Sequence, residues 1–600
     1  MTDAASGRAI LGVSADFHDS SAAVLVEGHI VAAAEEERFS RRKHEAGMPD
    51  SAMAYCLAEM RAVGAELEQV VFFEKPFTAW ERLVVTHARV GPRGLPALSQ
   101  AVPNWLRSKL WVRQRLALSL RHLGFKATPI AFAEHHQSHA ASAFFPSPFE
   151  RAAILTFDGV GEWATSSIGR GRGGQIEMLA ELQFPHSIGL LYSAVTAHCG
   201  FAVNDGEYKL MGLAPYGEPT FVQAIRQIIA VGADGSVRLD PRAVTFESRR
   251  RMLHPRTWSS LGGPPNPLGA EPTQREADLA CSMQQVLEDI VVRIARHAHE
   301  LTGESRACLA GGVALNCVAN AVLLRDGPFD DVWIQPAAGD SGGALGAAYW
   351  GWHQLAGHPR HPGDGDGMQG ASLGPAYPAD DIAAWLADAQ VPFRRIGPGE
   401  LAPWVAVELS AGRLVGWFQG RMEFGPRALG HRSILADPRD AAVIGRLNSA
   451  VKGREGFRPF APAVLAAAAD EWFYLPGRSD YMLLTAQVRS YAAGRPDPDL
   501  DFPSRLAMLR SALPACTHVN GSARVQTVSA AVHPRFHELL EAFGAITGCP
   551  VLLNTSFNRS DEPIVCTPAD ALRCFEVAGL DVLVLEDCVV ERAAVAALAS

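Results

Sequence analysis

The chain has 600 residues, which is more than one hydrophobic core usually supports, so its length predicts two or more domains. Its composition, 48% hydrophobic and 20% charged, is that of a folded globular protein and excludes a disordered or fibrous chain. Lys and Arg number 54 against 64 Asp and Glu, and the net charge of −10 argues against nucleic acid or an anionic membrane as a partner.

The cysteines and the N-terminus indicate where the protein resides. The ten cysteines are scattered and form no CxxC pair, which argues against a zinc ribbon and against a disulfide framework. The first residues contain no apolar segment of signal-peptide length, and the sequence shows no run of about 18 apolar residues. These features predict a reduced, cytoplasmic protein.

The chain opens with a predicted hairpin. Residues 10–15 form a strand of small residues, and strands 22–26 and 29–34 flank a Glu27-Gly28 turn. Residues 48–123 then read as helices with loops.

Short strands and Gly turns continue the pattern. A strand at 154–157 ends in Asp158-Gly159, and a long amphipathic helix at 275–301 leads to a strand at 307–310. A Gly- and Pro-rich segment predicts a linker at 361–379. We therefore predict two α/β domains, 1–360 and 380–600, with no apparent internal repeat.

A group of three histidines, two of them four residues apart, is the clearest metal signal. On a helix, His135 and His139 share one face and can present two imidazoles to one metal. Asp158 and Asp340 each follow an apolar stretch near glycines and are the candidate carboxylate ligands. This donor set suits Fe, Mn or Zn. The alternative is a polar helix end with solvated histidines.

Three glycine-containing turns follow short strands, at 158–161, 310–313 and 339–343. Glycine lets backbone N–H groups approach phosphate oxygens, and a helix N-terminus adds a favourable dipole. Three such turns bearing Asp and Asn are similar to those of the two-lobed actin/sugar-kinase ATPase fold. The sequence contains no Walker A loop, which is the other common phosphate-binding turn. The alternative is that they are ordinary α/β turns.

His18 lies between the first two predicted strands and beside Asp19. A histidine next to a carboxylate can act as a general base. A purely structural histidine is the alternative at this stage.

The second half contains four basic stretches, at 420–432, 451–462, 521–527 and 553–558. Arg binds phosphate in bidentate fashion, and Lys supplies a point charge. Surface salt bridges usually lie on regular helices, whereas these cations lie among Gly, Pro and Phe. The pattern therefore favours a pocket for ATP and a second phosphate compound.

Together these motifs resemble those of the NodU/CmcH-type O-carbamoyltransferase family. They occur in the family's order and span nearly the whole chain. The residues that carry the resemblance are 17–20, 33–39, 135–143, 158–162, 209–217, 311–316 and the four basic stretches.

The resemblance implies an α/β fold with an N-terminal actin/sugar-kinase-like domain, similar to the tRNA threonylcarbamoyl transferases, and a C-terminal YrdC-like domain. In this family the YrdC-like domain makes carbamoyladenylate from carbamoyl phosphate and ATP, which carries Mg²⁺. The N-terminal domain then passes the carbamoyl group to a hydroxyl of a small-molecule natural product, as in antibiotic or other secondary-metabolite biosynthesis.

The resemblance also implies a role for each motif residue. His18 would deprotonate the acceptor hydroxyl, and Lys452 and Arg458 would act in the activation step. Fe²⁺ would be held by His135, His139, Asp158 and Asp340. The residues implied to bind substrate or nucleotide are Gly159, Gly311, Gly312, Asn316, Arg427, Arg524, Asn554 and Ser556.

Three other readings compete with this one. A HypF-type hydrogenase-maturation protein would carry zinc-finger CxxC pairs and an acylphosphatase module, and this sequence shows neither. A tRNA-modifying enzyme fits the negative charge poorly. A nucleotide-binding regulatory module would not need His18 and the metal cluster. The acceptor stays unidentified, since residues 218–272 show no assignable motif, and a homodimer is a further expectation.

Overall fold

A computed structural model of the chain describes residues 7–91, 99, 102–103, 105–106, 108–246, 252–361, 363, 365–448, 453–492, 499–508 and 511–594. The chain forms two compact units. The first comprises Met1–Glu36 and His44–Gly367, and the second comprises Glu37–Lys43 and Met368–Ser600. The boundaries 1–360, 361–379 and 380–600 remain a prediction.

The first unit begins with a five-stranded mixed sheet, whose order is β3-β2-β1-β4-β5 once the strands are numbered along the chain. The first three strands form an antiparallel meander, and the last two run parallel to the first. The strands are β1 (Gly7–Ser14), β2 (Ser21–Val26), β3 (His29–Glu35), β4 (Ala65–Phe72) and β5 (Ile130–Phe132).

A second sheet repeats this topology. Its order is β12-β11-β6-β7-β8, with an antiparallel meander from β6 to β8 and two strands parallel to β6. No repeat is apparent in the sequence, because strand order can be kept by quite different apolar residues. The strands, with a separate β9–β10 hairpin, are β6 (Arg151–Phe157), β7 (Ala164–Arg172), β8 (Gln175–Gln183), β9 (Ile229–Val231), β10 (Val237–Leu239), β11 (Arg306–Ala310) and β12 (Asp331–Ile334).

Helices of the first unit follow the local signals in the sequence. The long predicted helix is confirmed: a Thr273–Glu276 capping box starts it, and Gly303 ends it in the left-handed region at φ 66°. The prediction of helices and loops over 48–123 missed β4, whose last residues are fully buried. The helices are Asp50–Ala62, Pro76–Val90, Val112–His122, His135–Phe144, Ile188–His198, Glu207–Leu213, Val222–Ile228, Gln274–Thr302, Cys317–Asp326 and Asp340–Tyr349.

Small residues let the helix that starts at Asp340 pack unusually closely against its neighbours. A Cβ atom on Gly12 of β1 would overlap the carbonyl oxygen of Ala344, and one on Gly346 would overlap that of Ser138. The Gly and Ala residues of this helix therefore allow backbone contact with β1 and with the helix that starts at His135. This close packing brings Asp340 to the two histidines.

We expect Gly346→Ala to destabilise the first unit by about 1–3 kcal/mol, because the added methyl must displace the Ser138 backbone. The matched control is Gly445→Ala, a helical glycine with open space around it. The midpoint of urea unfolding should fall in the first variant and stay near the wild-type value in the control. Equal midpoints for wild type and Gly346→Ala would contradict the packing argument.

The second unit is built on one ten-stranded mixed sheet, of order β13-β22-β21-β14-β15-β20-β16-β19-β18-β17. Its strands are β13 (Arg394–Arg395), β14 (Val415–Phe418), β15 (Arg432–Ala436), β16 (Ala461–Leu465), β17 (Phe473–Tyr474), β18 (Leu484–Val488), β19 (Ser522–Val528), β20 (Val551–Ser556), β21 (Val582–Leu585) and β22 (Cys588–Glu591).

Helices cover both faces of this sheet. Helices Ala379–Asp388 and Pro568–Ala578 contribute to the apolar core on one face. Helices Leu401–Ser410 and Pro534–Thr547 contribute to the core on the other. Successive strand residues alternate between the two cores, as Ile434 and Leu435 do. The remaining helices are Glu37–Ser40, Ala442–Gly445, Ala469–Trp472 and Phe502–Ala507. The α/β class is confirmed in both units, and a YrdC-like second domain remains a prediction.

The segment Glu37–Lys43 lies near the start of the sequence but belongs to the second unit. The Arg38 guanidinium donates to the Gly425 carbonyl at 3.0 Å, and Arg41 donates to the carbonyls of Pro563 and Ile564 at 2.8 and 2.6 Å. These contacts give Arg38 and Arg41 a structural role in the second unit. Among the described residues, no helix has both the length and the apolar character needed to traverse a membrane.

Candidate functional site

Four side chains from separate parts of the first unit converge on one point. His135 and His139 project from one helix, Asp158 directly follows β6, and Asp340 begins another helix. One ligand atom from each of the four lies within 4.8 Å of the others. The two Nε2 atoms of His135 and His139 are 3.1 Å apart, and each lies 3.5 Å from an Asp340 oxygen. The structure thus brings together the four residues proposed from the sequence as metal ligands.

His135, His139 and Asp340 are buried, and Asp158 is partly buried. Burial alone would lower the pKa of His135, but the hydrogen bond to Asp158 at 3.0 Å and the Asp340 charge raise that pKa to about 10. Burial would raise the pKa of Asp158, and the same hydrogen bond holds it well below its usual range. His136, the third histidine, turns away to bond the hydroxyls of Thr156 and Ser167.

These residues fit a divalent transition metal. Two imidazoles and two carboxylates are a donor set that suits Fe, Mn or Zn. Within the described part of the chain, Asp340 Oδ2 is buried and makes no hydrogen bond, so a strong acceptor is left to be satisfied. A cation between the two Nε2 atoms and the carboxylates would satisfy it.

We expect Asp340→Ala to weaken metal binding by at least about 10–100-fold. That is the usual loss when a residue that only supports a ligand is removed, and Asp340 is itself a candidate ligand. The metal bound per chain is measured by inductively coupled plasma mass spectrometry after equilibration with Fe²⁺, Mn²⁺ or Zn²⁺. Asp331→Asn, an exposed carboxylate elsewhere in the first unit, is the control. Equal metal contents in wild type and Asp340→Ala would contradict the ligand assignment.

A glycine turn adjoins the metal cluster. Gly311 follows β11 with φ 90°, and a Cβ atom there would overlap the Phe157 backbone. The Gly312 N–H donates to Asp158 Oδ1 at 3.2 Å, so one carboxylate joins the turn to the histidines. The Gly159 carbonyl, next to Asp158, accepts a hydrogen bond from Ser187.

Asn316 is an N-cap rather than an open side chain. Its Oδ1 accepts from the Ala319 N–H at 3.0 Å and its Nδ2 donates to Gln284 at 2.9 Å. Its carboxamide therefore already has partners, and its contribution to a nucleotide site would come through the N-terminus of helix Cys317–Asp326.

His18 lies at the edge of the same cluster. Its Nε2 atom is 3.9 Å from Asp340 Oδ2, and its Nδ1 atom is 2.8 Å from Asp19 Oδ2. Burial opposes the protonation of His18, but the hydrogen bond to Asp19 and the charge of Asp340 raise its pKa to about 9. With Asp340 carrying its full charge, His18 would therefore be protonated at neutral pH; a cation held by Asp340 would offset that charge and favour the neutral ring that can act as a base.

In the second unit, several predicted residues lie on one face of the sheet. Gln526 on β19 and Asn554 on the nearby β20 form a side-chain hydrogen bond of 2.9 Å. Residues two apart share a face, so Arg524 and Ser556 lie on the same side as this pair. Ser556 donates to Asn558 at 2.6 Å.

The loop that carries Arg427 is held over this face. Asn554 donates to the Ala428 carbonyl at 3.2 Å, and Gln526 donates to the Leu429 carbonyl at 2.7 Å. Arg427 itself is partly buried. The structure therefore places the backbone that directly follows Arg427 beside Asn554 and Gln526, and these two side chains support the loop.

Two other predicted residues of the second unit, Arg458 and Lys452, belong to the basic stretch at 451–462. Arg458 is partly buried and pairs with Glu455 at 3.4 Å. Lys452 lies outside the described residues, so its prediction rests on the sequence alone.

Not every arginine in the basic stretches is available to a substrate. The Arg432 guanidinium is fully buried, lies 3.5 Å from the centre of the Phe418 ring, and donates to the carbonyls of Gln419 and Pro375. Arg421 donates to the carbonyls of Leu373 and Gly374. The prediction that the whole stretch 420–432 forms an anion pocket is therefore too broad, because Arg421 and Arg432 bind backbone carbonyls.

Sequence reasoning missed three polar residues that organise the two sites. His44 and Asp205 connect to His18 through Asp19, at distances of 2.8 and 3.2 Å. Glu423 accepts from the backbone N–H groups of Leu429, His431 and Arg432, and so shapes the loop of Arg427. His44 and Asp205 are far apart in sequence, and no local spacing links them to each other.

Comparison with known proteins places the chain in a family. Residues 9–349 match the carbamoyltransferase N-terminus family model, and residues 406–592 match the carbamoyltransferase C-terminus model. An uncharacterised protein of Synechocystis sp. is 48% identical over 98% of this chain and 97% of its own length. The nodulation protein NolNO of Sinorhizobium fredii is 37% identical over 96% of this chain and 79% of its own.

Two further matches cover less of the chain. A 3′-hydroxymethylcephem-O-carbamoyltransferase of Amycolatopsis lactamdurans is 33% identical over 52% of this chain and 54% of its own. The solved structure of HypF from T. kodakarensis aligns with 59% of this chain and 48% of its own at 14% identity, and its TM-score of 0.30 supports no conclusion. The two family models and the relatives that align almost end to end decide the question: this chain belongs to the carbamoyltransferase family, of the NodU/CmcH type.

Proposed function

We propose that this protein is an ATP-dependent O-carbamoyltransferase. It forms carbamoyladenylate from carbamoyl phosphate and ATP, then transfers the carbamoyl group to a hydroxyl of a small-molecule natural product in secondary-metabolite or antibiotic biosynthesis. The observation that carries the proposal is the position of His18 Nε2, 3.9 Å from Asp340 in the cluster of metal-ligating side chains. An acceptor hydroxyl at His18 would therefore lie beside a candidate metal cluster, which would suit the binding of the adenylate phosphate.

The activating half-reaction is assigned to the second unit. Carbamoyl phosphate and water give carbamate and phosphate; a carbamate oxygen then attacks the α-phosphorus of ATP, and pyrophosphate leaves. Arg427, Arg458 and Arg524 would offset the phosphate charge of Mg²⁺-bound ATP and carbamoyl phosphate, and Lys452 would do so at the reacting oxygen. The common sheet face of Arg524, Asn554 and Ser556 supports this assignment.

The transfer half-reaction is assigned to the first unit. His18 Nε2 accepts the proton of the acceptor hydroxyl, whose oxygen attacks the carbamoyl carbon while AMP leaves with the bond electrons. The Gly312 turn and the N-terminus of the helix that begins at Cys317 would orient the phosphate of the adenylate. A divalent metal, Fe²⁺ by family resemblance, would supply Lewis-acid polarisation when bound to His135, His139, Asp158 and Asp340.

Aromatic residues beside His18 are the best candidates for acceptor contacts. Phe17 is 47% exposed, and its ring centroid lies 4.4 Å from that of His18. Lys109 lies over the rings of both Phe17 and Trp105, at 5.6 and 5.1 Å. An acceptor whose hydroxyl reaches His18 would lay its apolar face on Phe17.

We expect Phe17→Ala to raise the KM for the acceptor by about 3–10-fold and to change kcat little, because it removes one ring contact and no reacting group. Steady-state rates at varied acceptor concentration measure both constants. Phe125→Ala, which removes a ring that packs against Arg61 instead of His18, is the control. An unchanged KM for Phe17→Ala would place the acceptor elsewhere.

The proposed function is tested with a panel of hydroxylated natural products, including aminoglycosides, macrolides and cephems. The protein is incubated with each, together with ATP, Mg²⁺, Fe²⁺ and carbamoyl phosphate, and carbamoylated product is sought by mass spectrometry. Product that requires both ATP and carbamoyl phosphate supports the proposal. A product that forms without ATP would contradict the adenylate route. The cytoplasmic location and the homodimer remain predictions.

A further inference from the structure

A chain of four alternating imidazoles and carboxylates leads away from the candidate metal site. His18 Nδ1 lies 2.8 Å from Asp19 Oδ2, and the other oxygen of Asp19 lies 2.8 Å from His44 Nδ1. His44 Nε2 lies 3.2 Å from Asp205 Oδ1. All four side chains belong to the first unit and are between 25% and 35% exposed.

The hydrogen bonds decide which ring nitrogen of His18 carries the proton. An ionised carboxylate only accepts hydrogen bonds, so both Nδ1 atoms that contact Asp19 must donate to it. Burial would raise the pKa of Asp19, but the hydrogen bonds to His18 and His44 lower it well below the usual range, so Asp19 is ionised at neutral pH. The proposed reaction requires the neutral form of His18, and in that form the ring carries its proton on Nδ1 and presents a bare Nε2 towards Asp340.

The backbone of this chain is held in uncommon conformations. Asp19 and His44 lie in the left-handed region, at φ 57° and 55°, which non-glycine residues seldom adopt. Asp205 lies two residues before the helix that begins at Glu207, in a loop separate from both. Left-handed backbone at two linked polar residues is a form of strain that often accompanies a functional constraint.

Resting on the proposed function, we propose that Asp19, His44 and Asp205 are positioning residues that hold the His18 ring and its tautomer for deprotonation of the acceptor hydroxyl. Asp205 orients His44, and His44 keeps Asp19 in place by occupying its second oxygen. None of the three needs to touch substrate. Their effect on the reaction is carried entirely by His18.

The proposal predicts a specific kinetic pattern. We expect His44→Asn and Asp205→Asn each to lower kcat for transfer by about 10–100-fold, the usual loss when the outer partner of an active group is removed, with the acceptor KM nearly unchanged. In a His18→Asn background the same substitutions should cause no further loss, because the residue through which they act is gone. A merely structural role would lower the rate in both backgrounds.

The experiment measures transfer from supplied carbamoyladenylate with radiolabelled carbamoyl groups, so that slow variants remain measurable. His122→Asn, an exposed histidine, is the matched control for the substitution itself. Pyrophosphate release in the activating half-reaction and the metal content of each variant check that the fold is intact. Wild-type kcat in His44→Asn, or an equal loss in the presence and absence of His18, would overturn the proposal.

A spectroscopic measurement separates this inference from the proposed function. At a pH where His18 is neutral, ring nitrogen shifts of ¹⁵N-histidine-labelled protein report the tautomer, and the His18 signals are identified by their loss in His18→Asn. We expect Nδ1 protonation in wild type and a mixture of tautomers in Asp19→Asn. Nε2 protonation of neutral His18 in wild type would overturn the inference, whereas the expected tautomer without any carbamoyl transfer would overturn only the proposed function.

Discussion

The variant His18→Asn is expected to transfer the carbamoyl group about 10²–10⁴-fold more slowly than wild type while it still forms carbamoyladenylate at the wild-type rate. Asparagine keeps a polar side chain of similar reach but cannot accept the hydroxyl proton. The reason for the separation is structural: His18 belongs to the first unit, and the residues assigned to activation belong to the second. Transfer is measured from supplied carbamoyladenylate, and activation is measured as pyrophosphate release.

The control for this result is His122→Asn, which changes an exposed histidine at a helix end and should leave both rates unchanged. Thermal unfolding of both variants checks their stability. Transfer at the wild-type rate in His18→Asn would show that another group deprotonates the acceptor. A loss of both half-reactions in a folded variant would contradict the assignment of His18 to one step.

The opposite pattern is expected for Lys452→Ala. This variant should form carbamoyladenylate about 10²–10³-fold more slowly, because the proposed mechanism uses the Lys452 charge to offset the charge that develops on phosphate. Transfer from supplied carbamoyladenylate should continue at the wild-type rate. The two half-reactions are measured as for His18→Asn.

Lys126→Ala, an exposed lysine of the first unit, is the matched control and should alter neither step. Normal pyrophosphate release in Lys452→Ala would remove this residue from the activation site and leave Arg427, Arg458 and Arg524 as the candidate cations. If transfer alone were lost, the assignment of the two half-reactions to the two units would be wrong.

Local spacing in the sequence was enough to predict part of the candidate site. The separation of His135 and His139 matches one helical turn, and the structure places both on the same helix with converging Nε2 atoms. Asp158 directly follows β6, and Asp340 begins a helix in the segment that follows β12. Segments after the ends of strands are where α/β folds gather polar residues. The predicted strands at the start of the chain and the long helix are also confirmed.

Contacts between distant residues could not be predicted in this way. The repeated sheet topology depends on strand pairing, which no local period encodes. His44 and Asp205 are brought together only by the fold, so neither stood out as a partner of His18. Arg421 and Arg432 look like phosphate ligands in sequence but bind backbone carbonyls. The same residue type serves both purposes, and only the surroundings separate them.

The most direct test of the central claim is acceptor-free pyrophosphate release. Purified protein is mixed with ATP, Mg²⁺ and carbamoyl phosphate, pyrophosphate is measured, and carbamoyladenylate is sought by mass spectrometry; a parallel reaction omits carbamoyl phosphate, and another adds the acceptor panel. We predict pyrophosphate that appears only with carbamoyl phosphate, together with the adenylate. Absence of carbamoyl phosphate-dependent pyrophosphate in every reaction, including those with acceptors, would contradict the ATP-dependent carbamoyltransferase account.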